Sequence, residues 1–386
     1  MTKRSLHPVL LEPVADADQL AGPLAKALEG TGPAILPLDA TLPAPRLRQL
    51  IDAIAPDAGV PEDTAVVIAT SGSTGEPKGV ELSAAALRHS AGASLARLGA
   101  ADGGGWLCCL PVTHVAGLQV LVRSLLSSSE RTVAPTLTAT AVSESGCSYV
   151  SVVPTQLIRL LGEPGGAAAL ARFDAVLVGG AAAPAGLLDR ARAAAVPVVT
   201  TYGMSETCGG CVYDGVPLDG VTVRAGQDGL LRISGPVLMN RYHGGPDLGD
   251  EFVTSDLGYV RDWRVVVRGR ADDVINTGGH KVVPGEVAAV LESCPGVREV
   301  VVVGRADPEW GQRVTAVVVP ADPADPPTLE LLRTHVSARL PRYACPSEVV
   351  LTRAIPVLAS GKPDLASLKA AGTLRGWEQS PPRSVN

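Results

Sequence analysis

Short apolar runs separated by amphipathic stretches make up much of the first two hundred residues. The segments between these runs, such as 113–126 and 154–161, have the apolar spacing of helices. The runs have the length and composition of buried strands, and they are AVVIAT (65–70), WLCCLP (106–111), YVSVVP (149–154), AVLVGG (175–180) and VPVVTTYG (196–203). Strands that alternate with helices predict an α/β fold whose sheets are mostly parallel and flanked by helices.

The pattern changes after residue 220. Short strand-like segments separated by turns, such as LLRIS at 230–234, predict a small β-subdomain. Beyond Arg270, two helical and three strand-like segments predict a compact α+β unit of about a hundred residues. We therefore expect a large N-terminal domain over 1–269 and a small mobile α+β C-terminal domain over 270–386. The hinge is expected at 270–273, and a loose tail from about residue 372.

Composition and charge narrow the class of protein. The chain of 386 residues is 46% hydrophobic and 19% charged, with a net charge of −6 and only 3% aromatic residues. This acidic balance and the scarcity of rings argue against nucleic acid as a partner. The start of the chain has no apolar core of signal-peptide length, and the longest uncharged run is interrupted by glycines and a proline. We expect a cytoplasmic protein without membrane insertion.

The seven cysteines do not form a secreted disulfide framework, because their number is odd and they are scattered. Cys208 and Cys211 form a CxxC, but no second pair stands at zinc-ribbon spacing. We expect no metal bound by cysteine.

The most informative stretch is TSGSTGEPKGV at 70–80. Its glycines let the backbone approach an anion, its hydroxyls are donors, and Lys78 adds positive charge in a chain with only six lysines among 33 basic residues. The stretch follows a strand-like run, and we expect it to lead into a helix, the usual setting of a phosphate cradle. No Gly-Lys-Ser/Thr stands at the spacing of a Walker A loop. A flexible Gly/Ser loop is the alternative interpretation.

Residues 71–79 (SGSTGEPKG) resemble the signature loop of the acyl-adenylate-forming superfamily, which includes acyl-CoA synthetases, adenylation domains and luciferases. Further matches follow in the order of that superfamily, from about residue 65 to 370, so the resemblance does not depend on one loop. They are VGGAAAP (178–184), TYGMSET (201–207), TSDLG (254–258), RGRADD (268–273), NTGGHKV (276–282) and SGKPD (360–364).

The resemblance implies that these motifs bind ATP as a substrate and Mg²⁺ as a cofactor. Tyr202 would stack on adenine, Asp256 would accept the ribose hydroxyls, Arg270 would contact ribose or phosphate, and Glu206 with Thr74 would hold the metal. The residues assigned to ATP are Thr70, Ser71, Gly72, Ser73, Thr74, Gly75, Lys78, Gly180, Ala181, Ala182, Thr201, Tyr202, Gly203, Met204, Ser205, Asp256 and Arg270. Taken singly, these residues have ordinary structural interpretations, for example a turn aspartate or a helix-start acid.

The resemblance also implies a two-step reaction and a moving C-terminal domain. Lys362 would neutralise charge while a carboxylate attacks ATP, and Gly279 and Lys281 would serve the second step with coenzyme A. Asp272 would be the pivot between the two steps. The catalytic set is Lys362, Glu206, Thr74, Lys78 and His114.

The acid is harder to predict than the chemistry. The short N-terminal region, LPVTHVAGL (110–118) and the residues after 201 resemble one branch of the superfamily, the o-succinylbenzoate–CoA ligases of menaquinone biosynthesis. The residues expected to border substrate or coenzyme A are His114, Thr155, Gln156, Arg159, Gly179, Cys208, Gly209, Gly210, Gly279 and Lys281.

Three other functions stay open: a ligase for another small aryl or short-chain acid, an adenylation enzyme that loads a carrier protein, and a non-catalytic adenylate binder. A homodimer is left open as well.

Overall fold

The computed structural model describes residues 3–71, 77–100, 103–358 and 362–370. The chain divides into two compact units. The first contains Met1–Ala183, Leu187–Thr254 and Tyr259–Val266, and the second contains the remainder up to the C-terminus.

The secondary structure follows the predicted alternation. The strands are β1 (Lys3–Arg4), β2 (Leu6–Leu11), β3 (Ala34–Asp39), β4 (Val60–Pro61), β5 (Thr64–Ser71), β6 (Pro77–Ser83), β7 (Trp106–Cys108), β8 (Arg131–Val133), β9 (Tyr149–Val152), β10 (Ala175–Val178), β11 (Val198–Met204), β12 (Gly209–Tyr213), β13 (Val216–Pro217), β14 (Thr222–Ala225), β15 (Leu230–Ser234), β16 (Arg241–Tyr242), β17 (Glu251–Arg261), β18 (Arg264–Arg270), β19 (Ile275–Thr277), β20 (His280–Val282), β21 (Val297–Asp307), β22 (Gly311–Pro320) and β23 (Glu348–Leu351). The helices are α1 (Ala17–Glu29), α2 (Ala44–Ile54), α3 (Ala84–Leu98), α4 (Val115–Leu126), α5 (Ala139–Glu144), α6 (Pro154–Gly162), α7 (Gly166–Leu170), α8 (Ala185–Ala193), α9 (Pro284–Leu291), α10 (Leu329–Ser337) and α11 (Leu365–Ala370).

Two sheets form the body of the first unit. One has the order β16-β6-β5-β3-β2, and the other has the order β13-β12-β11-β10-β9-β7-β8. The run from β8 to β11 is parallel, and β12 turns back antiparallel to β11. The carboxyl ends of β9, β10 and β11 therefore meet at one edge, which is where open α/β sheets bind ligands.

Helices fill the space between these sheets and cover their outer faces. α1, α3 and α4 pack between the sheets, and their apolar residues share one core with Val66, Ile68 and Leu82 of the five-stranded sheet. α2 covers the outer face of that sheet, while α5 to α8 cover the outer face of the seven-stranded sheet. The N-terminus of α3 is capped by Ser83, whose hydroxyl accepts the Ala86 amide at 3.1 Å. The predicted α/β class is confirmed.

Two parallel strands near the N-terminus were not predicted from the sequence. β2 and β3 contain Pro8 and Pro37, which weaken a strand pattern. β3 is nevertheless almost wholly buried, because it lies between β2 and β5 in the sheet and below α1.

A four-stranded sheet of order β14-β15-β17-β18 corresponds to the predicted β-subdomain, and the division between the two units passes through β17 and β18. In the second unit, β21 and β22 form a long antiparallel pair, and β23 runs parallel to β22. α9 and α10 share a core with this sheet, while Leu368 of α11 packs on Val303 and Val317. Within the described ranges, no helix is long and apolar enough to cross a membrane.

Candidate functional site

The glycine-rich stretch joins two antiparallel strands. β5 ends at Ser71 and β6 begins at Pro77, so that Thr70 pairs with Lys78 and the Thr70 hydroxyl donates to the Lys78 carbonyl at 3.3 Å. The helix expected after this loop is present, but a strand that was not predicted separates it from the loop. β6 intervenes because residues 77–83 pair back onto β5, and α3 starts only at Ala84. The N-terminus of α3 is therefore separated from the loop by the length of β6.

Four of the predicted loop residues, Gly72, Ser73, Thr74 and Gly75, lie outside the described residues, and Ser71 is described through its backbone alone.

Lys78, Tyr242 and Glu206 contact one another in a row, with Tyr242 in the middle. The Lys78 ammonium is 5.2 Å from the centroid of the Tyr242 ring, a cation–π distance. The Tyr242 hydroxyl donates to Glu206 Oε1 at 2.8 Å. Burial, and then the Glu206 carboxylate, raise the pKa of Tyr242, which keeps the hydroxyl protonated and able to donate. Tyr242 therefore connects the lysine of the loop to the predicted metal ligand.

The sequence reasoning missed Tyr242. It stands 36 residues from Glu206 on the two-residue strand β16, and no local pattern marks it. Its position becomes evident only when β16 pairs with β6, which places Tyr242 opposite Val80.

Two glycines permit close packing at the ends of β10 and β11. A Cβ on Gly179 would lie 2.1 Å from the Thr201 hydroxyl oxygen, and a Cβ on Gly203 would lie 2.0 Å from the Gly209 carbonyl. The Thr201 hydroxyl donates to the Val178 carbonyl at 3.4 Å. The strand ends are thus locked to each other. The same edge carries the remaining predicted residues of this region, namely Gly180, Ala181, Ala182, Tyr202, Met204 and Ser205.

The turn after Glu206 is tied to α4. The carbonyl of Cys208 accepts Gln119 Nε2 at 2.7 Å and the Ser90 hydroxyl at 3.1 Å. Cys208 has a φ of 52° and Gly209 a φ of 96°, so both residues of this turn are left-handed. A Cβ at position 209 would lie 3.3 Å from Gln119 Cγ. His114 is exposed and stands immediately before α4. The predicted residues Cys208 and Gly209 therefore contact α4, and His114 immediately precedes the same helix.

Cys208 and Cys211 are buried free thiols. Desolvation raises the pKa of both, that of Cys211 to about 12. Within the residues that the structure describes, no group of three or more metal-ligating side chains is found. A buried thiol with a raised pKa is a packing residue rather than a nucleophile.

Arg123 is a buried cation that the sequence reasoning did not select. Its guanidinium lies 4.2 Å from the Trp106 ring centroid, and it donates to Ser151 Oγ at 3.1 Å and to Tyr213 at 3.4 Å. Burial lowers its pKa, and no carboxylate among the described residues pairs with it. It sits within the apolar run of α4, where the sequence predicts only a core helix.

The side chains suggested on α6 have structural partners. Gln156 accepts the Val153 amide at 3.0 Å and donates to the Cys109 carbonyl at 3.3 Å, so that it fastens the start of the helix. Arg159 donates to the Leu137 carbonyl at 2.7 Å. Thr155 is half-buried beside them.

In the second unit, Asp256 and Arg270 come together at the end of the β17–β18 hairpin. Arg270 Nη1 lies 3.9 Å from Asp256 Oδ1, and Nη2 donates to Asp272 at 3.1 Å. Burial disfavours the charged form of Arg270, but its neighbouring carboxylates outweigh this and raise its pKa. Asp256 lies within strand β17, so the turn interpretation is wrong for this residue.

Gly279 and Lys281 lie on the β19–β20 hairpin. Gly279 has a φ of 79° with open space where a Cβ would stand, and the neighbouring His280 ring stacks on Tyr343 at 4.2 Å. Lys362 is exposed, and its carbonyl accepts the Leu358 amide at 2.8 Å. Ser360 and Gly361 of its motif lie outside the described residues.

These features define an α/β fold that gathers several of the predicted site residues at the carboxyl edge of its seven-stranded sheet. Comparison with known proteins shows the class of enzyme. The family model for AMP-binding enzymes matches residues 15–231, and that for the AMP-binding enzyme C-terminal domain matches residues 286–362. The chain belongs to the AMP-binding enzyme family, as its resemblance to the acyl-adenylate-forming superfamily predicted.

Two curated relatives and one solved structure indicate the branch. A probable 2-succinylbenzoate–CoA ligase of Mycobacterium tuberculosis is 43% identical, with 95% of this chain and 97% of the relative covered. A 2-succinylbenzoate–CoA ligase of Bacillus cereus is 32% identical over 78% of this chain and 69% of the relative. The o-succinylbenzoate CoA synthetase of Bacillus subtilis, solved with its acyl-adenylate intermediate, matches with a TM-score of 0.70 at 26% identity and covers 92% of this chain and 81% of that one.

Proposed function

We propose that the protein is an AMP-forming acid–CoA ligase that converts o-succinylbenzoate to o-succinylbenzoyl-CoA in menaquinone biosynthesis. The observation that carries the proposal is the Lys78–Tyr242–Glu206 cluster beside the edge formed by β10 and β11, in a chain of this family. The sequence identity of nearly the full chain with a probable 2-succinylbenzoate–CoA ligase supports the choice of acid. Another small acid, or a carrier protein as acceptor, would be the alternative outcomes of the experiment below.

The cluster suits the phosphates of ATP. Lys78 is exposed and supplies positive charge, while the packed strand ends at Gly179 and Thr201 offer a rigid edge for the adenosine. Glu206 has one oxygen engaged by Tyr242, which leaves its other oxygen for a cation. Mg²⁺ binds through one or two carboxylates together with substrate phosphates, so this donor set fits it. When bound there with Thr74 as a second ligand, Mg²⁺ would neutralise phosphate charge.

Arg123 suits the second carboxylate of the acid. o-Succinylbenzoate carries two carboxylates, and only one of them reacts. The other is a partner for a guanidinium that is buried without a protein carboxylate. We assign His114, at the start of the same helix, to the border of the acyl pocket.

The reaction proceeds in two displacements. An oxygen of the substrate carboxylate attacks the α-phosphorus of ATP, and the bond to the bridging oxygen breaks to release pyrophosphate. The sulfur of coenzyme A, having lost its proton, then attacks the acyl carbon, and AMP leaves with the electrons of the broken C–O bond. Neither step requires a side-chain nucleophile, so the contribution of the chain is positioning and charge stabilisation.

The second unit serves both displacements in turn. Lys362 stabilises the charge that is redistributed in the first, and Asp256 with Arg270 holds the ribose. Gly279 leaves open space for the pantetheine chain in the second, with Lys281 nearby on the same hairpin. Asp272, bonded to Arg270, is proposed as the pivot between the two states.

The test separates acid, acceptor and chemistry. Pyrophosphate exchange with ATP is measured with o-succinylbenzoate and with a panel of aryl and short-chain acids. Coenzyme A or a carrier protein is then added, and the thioester is detected by mass spectrometry. Exchange that depends on o-succinylbenzoate and is followed by its CoA thioester is the expected result. Exchange only with other acids would overturn the substrate, and no exchange with any acid would overturn the ligase.

A further inference from the structure

A buried ionic cluster lies on the opposite side of β6 from Lys78. The Glu81 carboxylate is buried, and its Oε1 is 2.6 Å from His243 Nδ1. Its Oε2 is 3.6 Å from Arg241 Nε, and Arg241 also pairs with Asp247 at 2.5 Å. The mechanism proposed above uses none of these groups.

The alternation of side chains along a strand explains the arrangement. Arg241 pairs with Glu81 and Tyr242 with Val80, so Arg241 and His243 point to the face of Glu81, whereas Tyr242 points to the other face with Lys78. Two of the partners of Glu81 therefore flank Tyr242 directly in sequence, and the Thr64 hydroxyl, 3.5 Å from Oε2, is a third partner. Whatever fixes Arg241 and His243 also fixes the direction of Tyr242.

Outside the Glu81 cluster, β16 is held by Asn240 Nδ2, which donates to Asp63 at 3.1 Å, and by Met239 N, which donates to the Glu206 carbonyl at 2.9 Å. It is two residues long and forms the edge of its sheet. Backbone bonds to β6 run from His243 N to the Gly79 carbonyl at 2.7 Å and from Asn240 N to the Glu81 carbonyl at 2.9 Å. A slip of one residue would turn Tyr242 away from Lys78 and Glu206.

We propose that Glu81, through His243 and Arg241, locks the register of β16 and so positions Tyr242 against Lys78 and Glu206 for adenylate formation. Glu81 is a positioning residue, since it acts through Tyr242 and does not touch the reacting atoms. The proposal rests on the adenylation chemistry proposed above, but its first test does not depend on the acid.

The first test needs no nucleotide. In Glu81→Gln, hydrogen exchange of the free protein should be faster in the peptide covering 239–245, with the rest of the first unit unchanged. Glu348→Gln is the matched control, because it removes an Arg305 partner at 3.4 Å in the second unit. That variant should leave the 239–245 peptide unchanged. Equal exchange of this peptide in Glu81→Gln and the unmodified protein would overturn the register lock.

The second test asks whether Glu81 acts through Tyr242. We expect Glu81→Gln and Tyr242→Phe each to lower the maximal rate of pyrophosphate exchange about tenfold, and the double variant to be no slower than Tyr242→Phe alone. Glu81→Asp, which keeps the charge, should recover part of the rate. Effects that multiply in the double variant would overturn the proposal.

If the unmodified protein shows no exchange with any acid, the ligase proposal fails on its own. The dissociation constant of MgATP is then measured for the two single variants and the double variant. Non-additive changes in binding free energy support the positioning role, and additive changes overturn it.

Discussion

The guanidinium of Arg123 lies 4.2 Å from the ring of Trp106 in the core of the first unit. Burying a charge with a ring and three hydroxyls as neighbours lowers the stability of the fold, and a carboxylate partner would offset that desolvation cost. The task that we propose for Arg123 is to pair with a carboxylate of the substrate.

Arg123→Met should raise the KM for o-succinylbenzoate at least tenfold and leave the KM for ATP nearly unchanged. The charge is lost and a side chain of similar length remains, so thermal unfolding should stay at the same temperature or rise. Steady-state kinetics and calorimetry measure both quantities. Arg97→Met is the control, because Arg97 donates to the Tyr213 carbonyl at 3.4 Å in the same region. An equal rise of both KM values would contradict the assignment.

Lys362→Ala should lower acid-dependent pyrophosphate exchange about 10²–10³-fold, the usual effect of removing a charge that stabilises a transition state. Thioester formation from supplied o-succinylbenzoyl-adenylate should be retained, since that step no longer involves the α-phosphorus. Quench experiments on each half-reaction measure the two rates, with Lys26→Ala as the control at an exposed lysine. If both half-reactions fall equally, Lys362 does not have the assigned role.

Gly203→Ala should destabilise the protein by about 2–3 kcal/mol, because the new Cβ would meet the Gly209 carbonyl at 2.0 Å and the backbone must shift. Gly92→Ala is the matched variant. Gly92 lies inside α3, and a Cβ there would make an ordinary contact with Leu126 at 3.7 Å. Gly92→Ala should therefore stabilise the protein by about 1 kcal/mol. Denaturant unfolding measures both, and a neutral Gly203→Ala would show that the contact at the strand ends is loose.

Alkylation at pH 8 should reach Cys147 well before Cys211. Cys147 is partly exposed, whereas Cys211 is buried with a pKa of about 12. A raised pKa lowers the thiolate fraction at any pH below it, here about a thousandfold relative to an ordinary thiol. Mass spectrometry of the native protein after timed iodoacetamide treatment follows each site. Fast labelling of Cys211 would indicate a reactive pair with Cys208.

The sequence predicted the elements that carry their own pattern, and missed relationships between distant segments. The helix after Ser83 and the buried strands at 149–152 and 175–178 are local in origin, and the structure has them. The strand between the phosphate loop and α3 was missed because residues 80–82 (Val-Glu-Leu) are as compatible with a helix approach as with a strand, and only pairing with β5 decides between them.

Tyr242 and Glu81 could not be found from the sequence for a related reason. Their roles depend on the register of β16 against β6, between segments 160 residues apart in the chain. Arg123 was hidden because the apolar run of α4 predicts only a core helix, and the pattern does not show that its one charged side chain lies inside that core.

The contact between Gly179 and Thr201 has a consequence for the evolution of this site. A Cβ at 179 would lie 2.1 Å from the Thr201 hydroxyl oxygen. Alanine at 179 therefore requires the loss of the hydroxyl at 201, and with it the bond to the Val178 carbonyl. Position 201 can lose its hydroxyl while glycine stays at 179, but alanine at 179 has to follow that loss, so the contact fixes the order of the two changes.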